Sequence, residues 1–92
     1  MMDPGDKNTT FSKTALDDLS FWALEDRKIF KRIIRLIVDI HRNGLLEGEG
    51  RPERLKYNDR YSRRINEEHR LVYKMDLGTL LILSCKGHYK DE

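Results

Sequence analysis

A chain of 92 residues, 37% of them Asp, Glu, Lys or Arg and 38% hydrophobic, is the size of one domain with a modest core. One cysteine excludes an internal disulfide, and the longest apolar run, residues 80–83, is far too short to span a bilayer. The net charge of +2 says little, but residues 51–74 hold 8 Lys/Arg against 4 Asp/Glu, a local +4 beside Tyr57, Tyr61 and Tyr73 that fits a polyanionic partner or an ordinary charged surface.

Residues 1–7 read as a flexible leader without the apolar stretch of a secretory signal, and residues 8–92 as a single domain. A short strand is expected over 8–11. Ser12 then suits an N-cap, since its hydroxyl can accept an orphan backbone N–H of the first turn. Apolar residues at 15, 16, 19, 22 and 23 define one helical face. Glu25 and Asp26 punctuate, and a second helix follows with Ile29, Ile33, Leu36, Ile37 and Ile40 on one side. Arg27, Lys28, Lys31, Arg32 and Arg35 form a basic stripe on the other, most simply a solvated face. This helix stops at Asn43-Gly44, where glycine suits the left-handed C′ position.

The period then changes. A loop leads to a strand at about 54–57, and residues 58–60 make a tight turn. Strands are expected over 61–65 and 69–75, separated by a turn at 66–68. Residues 76–79 form a further turn, with Gly78 suited to positive φ. The last strand, 80–89, is apolar on both faces and so belongs inside the sheet. Helices first and a meander of strands afterwards give an α+β fold, summarised as β-α-α-β-β-β, mainly antiparallel, with both helices on one face. The other face is left for a site. Cys85, in the run LLILSC, reads as a buried core thiol, which suits a reducing cytoplasm.

The three histidines and the cysteine stand at no recognised ligand spacing, and no glycine-rich phosphate loop is present, so neither a metal nor a cofactor is expected. Acid–base chemistry is better supplied. Alternation along 69–75 puts Leu71, Tyr73 and Met75 toward the core and Arg70, Val72 and Lys74 on the open face. His88 stands at the end of the last strand, and Glu53 in the loop after the second helix. A carboxylate, an arginine and a histidine are the parts that transesterification of a phosphodiester requires. Read separately, they are also a solvated loop residue, a surface ion pair with Glu67 or Glu68, and a surface histidine.

The segments EGEGRPERLKY, YSRRINEEHRLVY and CKGHY, with FSKTALDDLSFW before them, resemble the Txe/YoeB family of toxin–antitoxin ribonucleases in the RelE-like superfamily, over about residues 8–89. The resemblance implies a ribosome-dependent endoribonuclease that cuts mRNA in the decoding A site without a metal. In that frame Glu53 matches the general base, Arg70 the arginine that stabilises the transition state, and His88 the general acid. Tyr89 matches an aromatic that positions substrate. Lys56 and Arg64 match basic residues near the scissile phosphate or ribosomal RNA, and Glu68 matches a carboxylate that orients Arg70. The partners implied are a YefM-like antitoxin with an acidic C-terminal segment, the ribosome and A-site mRNA; a homodimer is admitted, and no membrane. The turn between Tyr57 and Tyr61 is shorter than the family's, with Tyr61 in place of its usual tryptophan, and Lys90-Asp91-Glu92 extend beyond its usual end. The related ParE-like toxins, which act on DNA gyrase, are the alternative reading. Arg63 and His69 receive no role at this level.

Overall fold

The computed structural model describes residues 8–56 and 59–87. In chain order these form β1 (Thr9–Phe11), α1 (Lys13–Glu25), α2 (Arg27–Asn43), β2 (Glu53–Arg54), β3 (Tyr61–Arg64), β4 (Arg70–Asp76) and β5 (Thr79–Ser84). The five strands make one sheet in the order β1-β5-β4-β3-β2. β1 pairs with β5 in parallel, and every other pairing is antiparallel. The α+β fold expected from the sequence is therefore present. The strand expected near 54–57 is β2, which covers Glu53–Arg54 only; counted by itself, it gives the order one more strand than the summary β-α-α-β-β-β.

Local chemistry sets the helix boundaries. Ser12 is extended, with φ −68° and ψ 166°, and its Oγ accepts the Ala15 N–H at 3.1 Å. The same hydroxyl donates to the Leu83 carbonyl at 2.9 Å, which ties the start of α1 to β5. Asp26 separates the helices. Its backbone N–H closes α1 on the Trp22 carbonyl at 2.9 Å, and its carboxylate opens α2 by accepting from Lys28 and Ile29 N–H. One residue thus satisfies the orphan ends of two helices. Gly44 ends α2 with its N–H on the Ile40 carbonyl, but at φ 98°, ψ −178° it takes an extended glycine-only conformation rather than the left-handed helical one expected.

The core forms where the helices cover the sheet. Ile33, Leu36, Ile37 and Ile40 of α2, Ala15 and Trp22 of α1, and Leu71, Tyr73, Leu80, Ile82 and Cys85 from the sheet region share one buried cluster. Leu16, expected on the buried face of α1, is about half exposed. Met75 shares the core face of β4, yet it is 43% exposed because it stands one pair from the β4–β5 turn. Val72 alternates onto the opposite face and is nonetheless buried, so that face is partly closed. β5 lies between β1 and β4 as its two apolar faces require, but it ends at Ser84 rather than at Tyr89, and residues 88–89 lie outside the described part.

Candidate active site

The face of the sheet away from the helices gathers charge across three strands. In register, Glu53 of β2 stands opposite Ser62 of β3, and Arg64 of β3 opposite Arg70 of β4. Side chains of directly paired residues share a face, so Glu53, Ser62, Arg64 and Arg70 lie on one side. The Arg70 Nη1 reaches across β3 to Glu53 Oε2 at 3.2 Å and to Ser62 Oγ at 3.4 Å. Arg70 is 16% exposed and Glu53 56%, so the guanidinium is largely desolvated while its partner faces water. An arginine held in this way carries the planar set of N–H donors that suits a phosphate.

The other residues singled out in the sequence fall around this pair. Lys56 is exposed in the bend after β2. Arg64 ends β3 with an exposed side chain, its backbone N–H on the Gly50 carbonyl at 2.6 Å and its own carbonyl accepting from Arg32 Nη2 at 3.2 Å. Glu68 is exposed in the turn before β4, where its N–H and that of His69 donate to Asn66 Oδ1 at 2.9 and 2.8 Å. Among the described residues the carboxylate in contact with Arg70 is Glu53. His88 and Tyr89 lie outside the described residues. The basic stripe of α2 is partly neutralised, since Arg32 and Arg35 each pair with Glu49 at 3.2 Å.

Two residues without a role in the sequence turn out to build the site's support. Arg63 is completely buried. Its guanidinium donates to Asp39 Oδ2 at 2.5 Å, to the Tyr73 hydroxyl at 3.0 Å, and to the carbonyls of Gly44, Glu47 and Glu49 at 2.7, 2.5 and 3.0 Å. The Tyr73 hydroxyl in turn donates to the Leu45 carbonyl at 2.7 Å. Arg63 is thus the mould around which the loop from α2 to β2 is wound, and that loop delivers Glu53. Its Asp39 partner has a pKa lowered from 3.8, first by the Glu49 N–H and then by Arg63 itself. Burial raises the Tyr73 pKa above 10.0, with Arg63 opposing. His69, the second such residue, packs edge-on against Trp22 at 4.7 Å and accepts the Gly87 N–H on Nδ1 at 2.8 Å. A signal for Arg63 was present: alternation sets it on the core face with Tyr61, where a charge must be paired.

Among the described residues, no group of three His, Cys, Asp or Glu side chains is placed to hold a metal ion, and no helix is long and apolar enough to cross a membrane.

The family model for the YoeB-like toxin of bacterial type II toxin–antitoxin systems matches residues 11–89. Toxin YoeB of Escherichia coli strain K12 is 46% identical over 81 residues, which cover 86% of this chain and 95% of the relative. Among solved structures, the YoeB dimer of Staphylococcus aureus superposes with a TM-score of 0.83 at 51% identity, covering 89% of this chain and 97% of that one. The YoeB–YefM complex from the same organism gives 0.82 at 47% identity, covering 92% and 100%.

Proposed function

The chain belongs to the YoeB-like toxins of bacterial type II toxin–antitoxin systems, and from that premise we propose that it is a metal-independent endoribonuclease that cuts mRNA in the ribosomal A site and so stops translation. The observation that carries the proposal is the largely buried Arg70 guanidinium held 3.2 Å from the Glu53 carboxylate. A carboxylate and a guanidinium this close together support the reading of a base and an anion-stabilising donor that serve one phosphodiester.

In this mechanism Glu53 removes the proton of a ribose 2′-OH, and the 2′ oxygen attacks the adjacent phosphorus. Two negative charges then gather on the non-bridging oxygens, where Arg70 supplies hydrogen bonds that strengthen as the phosphorane forms. The bond from phosphorus to the 5′ oxygen breaks, and His88 donates the proton that the departing oxygen needs. The products are a 2′,3′-cyclic phosphate and a 5′-OH. A nucleophile drawn from the substrate's own 2′-OH restricts the enzyme to RNA. Tyr89 would position the substrate, with Lys56 and Arg64 contacting the RNA or the ribosome. The site of action would be the cytoplasm. A YefM-like antitoxin and a second copy of the chain are the proposed protein partners, by similarity to the Staphylococcus aureus assemblies.

The test is primer extension on mRNA bound to ribosomes in the presence of purified protein. Discrete codon-aligned cuts are expected from the wild type. Glu53→Gln, Arg70→Ala and His88→Ala should each lose about 10²–10⁴-fold in rate with the fold kept. Wild-type cleavage by Arg70→Ala would remove the assignment, and DNA double-strand breaks in place of mRNA cuts would favour the gyrase-directed alternative.

A further inference from the structure

The segment after β5 has left the sheet ladder, yet the backbone N–H and carbonyl of both Cys85 and Gly87 are hydrogen-bonded. The Cys85 N–H donates to Asp18 Oδ2 at 3.0 Å, and the Cys85 carbonyl accepts the Trp22 indole N–H at 2.8 Å. The Lys86 ammonium stands 4.4 Å from the centre of the Phe21 ring. The Gly87 N–H donates to His69 Nδ1 at 2.8 Å, and the Gly87 carbonyl accepts the Arg70 N–H at 3.1 Å. Side chains of α1 therefore fix the first residue of the segment, and two consecutive residues at the head of β4 fix the last.

We propose that His69 is a positioning residue for the general acid: its imidazole holds Gly87, the residue before that acid, beside Arg70. The inference rests on the reading of His88 as the acid. Three features support it. His69 and Arg70 are adjacent, so the group that grips Gly87 and the group that meets the phosphate share one stretch of backbone. Gly87 has φ 94°, a conformation open to glycine, and a glycine kept there without restraint would be the loosest link in the segment. The ring of His69 is itself held edge-on by Trp22, which in turn anchors Cys85, so the restraint on Gly87 starts from a fixed point. Accepting through Nδ1 also fixes the tautomer, with the ring proton on Nε2.

The decisive probe is the leaving group. A 5′-bridging sulfur departs as a thiolate and does not need a proton, so a defect that acts through the general acid shrinks on that substrate. Single-turnover cleavage is measured on ribosomes programmed with mRNA carrying either oxygen or sulfur at the scissile 5′ position. His69→Phe keeps a ring against Trp22 and removes the acceptor; it should slow the oxygen substrate by about 10²-fold and the sulfur substrate by only a few fold. His69→Asn places an acceptor near the position of Nδ1 and should recover most of the oxygen rate. Equal defects on both substrates, or no recovery in His69→Asn, would overturn the proposal. His88→Ala is run in parallel. If its defect is as large with sulfur as with oxygen, the failure lies in the assignment of His88 as acid, and the proposal falls with it. A measurement on the wild type stands apart from any folding defect: a through-hydrogen-bond 15N–15N coupling between the Gly87 amide and His69 Nδ1. Its presence is expected, and its absence would remove the premise of the restraint.

Discussion

Arg63 shows how much of this molecule's chemistry hangs on single side chains. Removing a buried guanidinium from water is expensive, and only full pairing makes it tolerable. Here one carboxylate, one hydroxyl and three carbonyls surround it. Gly48 fits the same arrangement: a Cβ added there would lie 2.0 Å from Asp39 Oδ2, inside the ion pair. Arg63→Met keeps much of the volume but leaves Asp39 and the three carbonyls without their donor. It should destabilise by about 3–5 kcal/mol, and the thermal midpoint should fall by on the order of 12 °C or more. A shift of a degree or two would show that the loop closes without the guanidinium. Asp39 makes a second expectation. Its folded pKa lies below 3.8, so the stability it contributes is complete above the unfolded value and is lost as pH falls through the folded one. Urea midpoints measured down the pH scale should therefore decline below about pH 4 in the wild type. That decline should be shallower in Asp39→Asn, and parallel curves would exclude the carboxylate as its source.

At the scale of elements, the helices were the most legible part of the sequence because their signals are local and redundant. α2 has five apolar residues at helical spacing, a capping aspartate before it and a glycine after it, and all act together. The strands were less legible in depth than in face. Leu71 and Met75 share a side of β4, but only tertiary cover decides that Leu71 is buried and Met75 is not. β5 stops short of the expected end because, past Ser84, side chains of α1 and His69 take over the bonding of the backbone from strand pairing, which no local pattern reports. Glu53 and Arg70 stand far apart in sequence, and what joins them is register across β3, which no local pattern reports. The β4–β5 hairpin carries its own expectation. Both central residues of its two-residue turn have positive φ, 51° at Leu77 and 81° at Gly78, and Leu77 is almost wholly exposed. Such a turn favours Asn-Gly, since a leucine in the left-handed region is strained. Leu77→Asn should raise stability by about 0.5–1 kcal/mol, read as a higher urea midpoint with an unchanged slope. A lower midpoint would mean that Leu77 makes a contact worth more than the strain.

Across the whole molecule, the helices and the sheet meet most closely at the seam between α1 and β5, and Cys85 reports on it. The thiol is buried, and burial, followed by the nearby Asp18 charge, pushes its pKa up to about 12. A thiol in that state has almost no thiolate at neutral pH and no path for a reagent. Alkylation of the folded protein should therefore be slow even at mildly alkaline pH and should proceed only through opening. If the seam opens only when the molecule unfolds, the labelling rate will follow global unfolding, with the same denaturant dependence as loss of the core. If labelling instead runs much faster than global unfolding and depends weakly on denaturant, α1 and the end of β5 separate as a local unit. The distinction bears on function, because the same seam holds the Cys85 backbone through Asp18 and Trp22. A seam that opens only with the whole molecule would hold residues 85–87 in place through the catalysis proposed above. A seam that opens alone exposes that segment to rearrangement by a partner without unfolding the Arg63-centred loop that carries Glu53.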